Sequence, residues 1–206
     1  MHSTPIELID NVNQGRRVGA VLVENPNDDF IEATDNLWRI YRKRFVDALK
    51  DSGKPIPDHD HWSWKWKIQQ ELNRDSLFKC YAIVADEEPQ GLTLLNYGRE
   101  CQSRLPEQKG RLLVYVAYVE AAPWNVEGYT EKRRYRGVGK ALYKAAVGCS
   151  SKMGFQGLVG LHSLPNVEGF YENACEMISF GPDPNYGNLV YFESLPIIKS
   201  PNRKIS

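Results

Sequence analysis

Ten residues concentrate the chemistry of this chain: Arg133-Arg134-Tyr135-Arg136-Gly137-Val138-Gly139-Lys140-Ala141-Leu142. Two glycines stand one residue apart among cations, and an apolar-periodic helix follows. Glycine lets a backbone approach a ligand closely, several N–H groups then point one way, and a helix N-terminus adds partial positive charge. This combination suits phosphate. Residues 132 to 144 hold six cations (Lys132, Arg133, Arg134, Arg136, Lys140, Lys144) and no acid. The whole chain nevertheless balances 26 basic against 26 acidic residues. The block therefore points to an anionic ligand held at one spot, not to a surface that coats nucleic acid.

Two nucleotide motifs fail on this stretch. In a P-loop, Gly-Lys is followed by Ser or Thr for Mg²⁺; here Gly139-Lys140 is followed by Ala141, and Arg134 stands at the first glycine position. In the dinucleotide fingerprint a third glycine is needed, and Leu142 stands there. The spacing Arg134-x-x-Gly137-x-Gly139 instead resembles the R/Q-x-x-G-x-G/A pattern of the GNAT superfamily of acyl-CoA-dependent N-acetyltransferases. The surrounding order is similar as well. Val119-Glu120-Ala121-Ala122-Pro123 resembles the L-x-V-x-P that closes the family's fourth strand. Leu158-Val159-Gly160-Leu161 resembles its fifth strand, and Gly169-Phe170-Tyr171-Glu172-Asn173 the helix with a Phe/Leu-Tyr-Glu signature. The resemblance runs over about residues 15 to 195.

It departs at two places. Most members pass from the strand-ending Pro to the motif Arg within about three residues, whereas Trp124 to Arg133, with Gly128, intervene here. This loop either shapes the pocket or is a surface insertion. The family often has Asn seven residues before the helix Tyr; Leu164 occupies that position and Asn166 comes two residues late.

The resemblance implies an α/β fold in a single domain spanning 1–206. Its sheet is mixed, mostly antiparallel and flanked by helices, and its central strands, here 112–121 and 158–162, splay at their C-terminal ends to admit the pantetheine arm. It implies acetyl-CoA as acyl donor and a primary amine of a small molecule or protein as acceptor. Backbone N–H groups near Gly137, Val138, Gly139 and Lys140, with Arg134 and Arg136, would fix the pyrophosphate. The Ala121 N–H would receive the developing oxyanion. The amine, with a reference pKa near ~10, must lose a proton, and the leaving thiolate, near ~8.5 by analogy with Cys, is helped by one. Tyr171 is the candidate general acid, against the alternative of a core tyrosine with a satisfied hydroxyl. Glu120 is the candidate base, against a solvated strand-end carboxylate, and Glu127 is a second choice. Two other functions stay open: a non-catalytic acyl-CoA sensor or partner-binding module, and a toxin that acetylates charged tRNA.

Composition bounds these readings. A chain of 206 residues buries about 70% of its unfolded surface as one domain. Forty-two per cent apolar and 25% charged residues suit a soluble globule. The longest apolar run, near 112–119, is far short of the ~20 residues of a membrane span. Met1-His2-Ser3-Thr4-Pro5 lacks the cationic start and apolar core of a signal peptide. Cys80, Cys101, Cys149 and Cys175 are far apart, and Cys80 and Cys149 read as buried thiols, which favours a cytoplasmic protein. Neutral net charge argues against RNA or DNA as acceptor. A homodimer is left open.

Along the chain, Val18–Val23 reads as the first strand. Phe30, Ala33, Leu37, Tyr41, Phe45 and Ala48 read as a long amphipathic helix, capped by Asp28 or Asp29 and ended by Gly53. Asp58-His59-Asp60-His61 lies between prolines and reads as a loop rather than a metal site. Trp62, Trp64 and Trp66 open a second helix, as core or as the lining of an acceptor pocket. Lys79–Ala85 and Gln90–Asn96 read as a hairpin around Asp86-Glu87-Glu88-Pro89. The helix after the glycines carries Val138, Leu142, Ala145, Cys149 and Met153 on one stripe, Leu189–Phe192 is the last strand, and 197–206 is a frayed tail.

Overall fold

A strand that the sequence pattern hides opens the chain. In a computed structural model, which describes residues 2–13, 15–53, 63–74, 77–127, 129–130 and 132–197, β1 (His2–Asp10) pairs antiparallel with β2 (Arg16–Glu24) from His2↔Glu24 to Asp10↔Arg16. Its first four residues are exposed on both faces, so no apolar alternation marks it. Pro5, which cannot donate to a ladder, is tolerated because only Ile9 and Asp10 pair on the strand's other edge.

α1 (Asp28–Asp51) starts one residue earlier than a cap at Asp28 would set it. Asn27 is the cap, its side-chain oxygen accepting from the Phe30 N–H at 3.0 Å, while Asp28 and Asp29 occupy the first turn, where negative charge suits the dipole. α2 (Trp64–Asn73) is capped by Ser63 and fastened to α1 by Asp35, whose carboxylate accepts from the N–H groups of Trp64 at 2.8 Å and Lys65 at 3.1 Å. β3 (Phe78–Ala85) and β4 (Glu88–Asn96) form the expected hairpin, with a tighter turn than the sequence suggested. Asp86 and Glu87 alone connect them, both at positive φ (49° and 62°), as a two-residue primed turn requires.

β5 (Val114–Ala121), β6 (Tyr135–Arg136), α3 (Val138–Lys152), β7 (Val159–Ser163), β8 (Ile178–Asp183) and β9 (Leu189–Glu193) follow. The chain folds as two compact units, Met1–Leu94 with Tyr118–Leu142 and Leu95–Ala117 with Tyr143–Ser206. In the first, strands are ordered β6-β1-β2-β3-β4-β5; in the second, β5-β7-β9-β8, because β5 contributes to both. β5 and β7 pair in parallel over Val114↔Val159, Tyr115↔Gly160 and Val116↔Leu161. β1 with β2 and β6, β2 with β3, and β9 with β7 and β8 are antiparallel. The architecture is thus the mixed, mostly antiparallel α/β sheet that the resemblance implies. β8, an edge strand with a bulge between Ser179 and Pro182, is an addition to the expected order.

The first unit has two apolar layers, one on each face of its strands. Ala82 joins Ile31, Trp38 and Trp64 under α1 and α2, whereas its neighbour Ile83 joins Leu8, Val138 and Leu142 under α3. Period-two alternation sends adjacent residues to opposite faces. In the second unit Cys101, Leu105, Leu113 and Leu158 cluster. All four cysteines are buried and none forms a disulfide, and burial pushes the Cys80 thiol up to about 12. No helix among the described residues is long and apolar enough to cross a membrane. The tail from 198 onward and the Asp58–His61 run lie outside the described residues, as does Trp62.

Candidate active site

The glycine turn is held from two sides. β6 pairs with the end of β1 at Ile9↔Arg136 and Asp10↔Tyr135. Beyond it the Asn11 N–H donates to the Arg134 carbonyl at 2.9 Å, and the Asn11 side-chain amide donates to the Arg133 carbonyl at 3.1 Å. Asp10 is 7% exposed and fixes this corner, because its carboxylate accepts from the N–H groups of Val12 and Asn13 and from the Asn13 amide. Those bonds hold its pKa below the ordinary 3.8. Gly137 then adopts φ +90°, open to space where a Cβ would project. The first intrahelical bond runs from the Ala141 N–H to the Gly137 carbonyl at 2.8 Å. The N–H groups of Val138, Gly139 and Lys140 lie ahead of that ladder.

The motif arginine is engaged elsewhere. The Arg134 guanidinium meets Glu88 and, at 3.2 Å, Asp86, both at the β3–β4 turn, and the Tyr135 hydroxyl also donates to Asp86. Arg136 and Lys140 are the exposed cations beside the turn, and Arg133 pairs with Glu127.

The loop between Pro123 and the motif is built into the fold by two residues the sequence reading did not single out. Gln90, wholly buried on β4, accepts from the Trp124 indole at 2.8 Å and the Asn125 amide at 2.9 Å. Asn125 in turn accepts from the Tyr135 N–H at 2.8 Å. Both belong to local patterns (a glutamine inside a strand, an asparagine after Pro-Trp) that carry no signal of their own. Tyr129 packs on Phe45 with ring centroids 5.1 Å apart.

The end of β5 presents its two candidates to different sides. The Ala122 N–H bonds to the Gln90 carbonyl on β4 at 2.9 Å, so alternation turns the Ala121 N–H toward the opposite edge of the strand. The Ala121 side chain packs with the α3-side layer. Glu120 is directed to the α1–α2 layer. Its carboxylate accepts from Arg42, from Lys67 at 2.7 Å and from the Trp64 indole N–H at 3.0 Å. The side chains of Arg42, Lys67 and Glu120 are 16%, 10% and 15% exposed. Arg42 also lines a polar cleft of about 330 Å³ with Glu32, Asp35, Asn36 and Arg39 on α1. Trp64 is core and Trp66 is 40% exposed, so the aromatic run divides between interior and surface.

In the second unit Tyr171 lies in a short turn of π-helix, Phe170–Ala174, where an ordinary α-helix was expected. The Cys175 N–H reaches back to the Phe170 carbonyl at 3.2 Å. Such wide turns concentrate at functional sites. The Tyr171 ring is packed by Phe170 and Phe192, and burial pushes its phenol up to about 12. Leu164 is 66% exposed, and Asn166 sits nearby at φ +70°. Among the described residues no group of three or more His, Cys, Asp or Glu converges as for a metal.

The second unit also holds a polar chain that sequence inspection missed. His162 Nε2 faces Asp183 at 3.1 Å and Nδ1 faces the Tyr115 hydroxyl at 2.8 Å. A carboxylate only accepts, so the neutral ring carries its proton on Nε2 and the Tyr115 hydroxyl donates to Nδ1. Tyr186 stacks on the imidazole at 3.9 Å, and Arg104 pairs with Asp183 at 2.7 Å while lying over the Tyr191 ring. Burial holds His162 below its ordinary 6.5. Arg104, then His162, hold Asp183 down at about 2. Both groups therefore bind protons more readily in the unfolded chain. Stability should be full above pH 6.5, fall as His162 is forced to charge below it, and fall again below 3.8 as Asp183 protonates. Denaturant midpoints measured across pH should show both steps, and His162→Gln should flatten the upper one; an unchanged upper step in that variant would assign it to another group.

No family model matches the chain, and no curated protein matches it in sequence. Solved structures do. A GNAT-family acetyltransferase from Listeria monocytogenes superposes with a TM-score of 0.50 at 11% identity, covering 93% of this chain and 99% of that one. RimJ from Mycobacterium smegmatis, solved with CoA-disulfide, gives 0.49 at 12% identity, covering 94% and 87%. The N-acetyltransferase YlbP from Bacillus subtilis, solved with coenzyme A, gives 0.45 at 15% identity, covering 85% and 97%. At these identities the likeness speaks for architecture, and the chain has the fold of the GNAT-family acetyltransferases.

Proposed function

We propose that this protein is an acetyltransferase that moves an acetyl group from acetyl-CoA to a primary amine. The observation that carries the reading is the Gly137–Lys140 turn, where three N–H groups precede the helix ladder beside the exposed Arg136 and Lys140. These groups bind the pyrophosphate. Arg134 acts from behind, through Asp86 and Glu88, to fix the turn. The Ala121 N–H, turned away from β4, stabilises the tetrahedral oxyanion. The acceptor enters by the polar cleft on α1, which reaches Glu120 through Arg42. Glu120 relays the amine proton, and Tyr171 protonates the departing thiolate.

Thermal unfolding with acetyl-CoA tests the reading. A ligand at 100 times its dissociation constant adds about 2.7 kcal/mol, which raises Tm by roughly 5–10 °C for a protein of this size. ATP and NAD should give no comparable shift. Arg136→Glu should weaken acetyl-CoA binding about 10- to 100-fold without lowering Tm of the free protein, since a charged hydrogen bond contributes about 1.5–3 kcal/mol. No shift with acetyl-CoA, or an equal one with ATP, would remove the donor from this proposal.

A further inference from the structure

We propose that Asn125 is the positioning residue of the phosphate turn. It sets where the N–H groups of Val138, Gly139 and Lys140 stand, and so how tightly the donor's pyrophosphate is held. The inference rests on the acetyltransferase reading above. Asn125 is 7% exposed. Its amide nitrogen donates to the Gln90 carbonyl at 3.3 Å and to Gln90 Oε1 at 2.9 Å, and its oxygen accepts from the Tyr135 N–H at 2.8 Å.

Gln90 is equally committed. Its amide nitrogen donates to the carbonyls of Ala85 and Glu88, each at 3.1 Å, and its Oε1 accepts from the Trp124 indole as well as from Asn125. A primary amide has two donors and two lone pairs, so the Gln90 side chain is fully used. Asn125 therefore cannot turn over. Its nitrogen must face the two Gln90 oxygens, and its oxygen must face the Tyr135 N–H.

This network fixes one end of a short segment. Tyr135 stands two residues before Gly137, about 7 Å of extended chain. Beside it the Arg134 N–H donates to the Trp124 carbonyl at 3.0 Å, which closes the inserted loop at its base. The other end is fixed by the next residue of β4. Gly91 lies so close to Val138 that a Cβ there would stand 2.7 Å from Val138 Cγ1. Val138 is 3% exposed in the α3-side layer. Adjacent residues of β4 thus hold both sides of Gly137, Gln90 through Asn125 and Gly91 by direct packing. A turn ordered before its ligand arrives loses less binding free energy to ordering.

A purely structural asparagine would matter for stability alone, whereas a positioning one matters for ligands that carry the phosphates. S-acetylpantetheine has the thioester and the pantetheine arm without any phosphate, and it separates the two roles.

Dissociation constants measured by calorimetry for acetyl-CoA and S-acetylpantetheine test this. Wild type should bind acetyl-CoA the more tightly. Asn125→Ala should weaken acetyl-CoA about 10- to 100-fold, the scale that outer-shell hydrogen-bond partners reach at metal sites, and leave S-acetylpantetheine unchanged. Equal weakening of both ligands, or of neither, in folded Asn125→Ala overturns the positioning role and leaves the donor assignment standing. A wild type that binds the two ligands alike overturns the phosphate turn and this proposal with it. If Asn125→Ala does not fold, amide hydrogen exchange in wild type decides. Coupling is reciprocal, so the Tyr135 N–H should exchange more slowly with acetyl-CoA bound and not with S-acetylpantetheine. Exchange at Tyr135 that ignores the phosphates overturns the proposal.

Discussion

Glu120→Ala should lower the unfolding free energy by about 3–5 kcal/mol and Tm by roughly 6–20 °C. The substitution leaves Arg42 and Lys67, 16% and 10% exposed, facing each other without their shared carboxylate. It also strips the acceptor from the Trp64 indole N–H. Breaking a buried pair from one side is costly because the remaining charge has already been taken out of water. Here two such charges remain. The exposed pair Arg17–Glu7, with side chains 79% and 61% exposed, supplies the control: Glu7→Ala should cost no more than about 1 kcal/mol. Denaturant unfolding of the two variants decides the matter. Equal, small losses would mean that the Glu120 cluster is solvated, and the case for a prepositioned carboxylate there would fall. Acetyl transfer should be lost in Glu120→Ala even at temperatures where the variant remains folded.

None of that cluster was legible in the sequence. Glu120 stood out only by its place at a strand end, and its partners are 78, 53 and 56 residues away in the chain. Ion pairs formed by folding distant segments together leave no local pattern. The glycine turn was legible because its chemistry is local: two glycines, a cation block and a helix start within ten residues. α1 was legible for the same reason, through its three- and four-residue apolar spacing. Its cap was missed by one residue, since Asn27, Asp28 and Asp29 are all competent caps and only the backbone conformation chooses among them. β1 and β8 were invisible because exposure on both faces erases alternation, and Pro5, Gly181 and Pro182 read as breakers. The helix expected at Tyr171 became a single π turn, a change of one residue in hydrogen-bond spacing that composition does not encode. The motif arginine shows the reverse problem. Its spacing is a local pattern, yet its guanidinium pairs with Asp86 and Glu88 at a turn 46 to 48 residues away.

Tyr171→Phe should reduce kcat by about 10²–10⁴-fold while leaving acetyl-CoA affinity unchanged. The ring keeps its packing against Phe170 and Phe192, and only the hydroxyl is lost. A general acid at this position must hold its proton at the working pH, and burial provides that by pushing the phenol up to about 12. The sign follows directly. A raised pKa keeps the protonated, donating form populated below about 12, so the rate deficit of the variant should be constant through neutral and mildly alkaline pH. A group titrating near neutrality would instead make the deficit shrink on its basic side. A purely structural tyrosine predicts something different again: a stability loss on the order of 1 kcal/mol from the missing hydroxyl, with turnover intact wherever the variant is folded. The two roles separate on one set of measurements, pH profiles of kcat and unfolding midpoints for wild type and Tyr171→Phe. Unchanged turnover in folded Tyr171→Phe would take the leaving-thiolate step away from this residue and leave proton delivery to solvent.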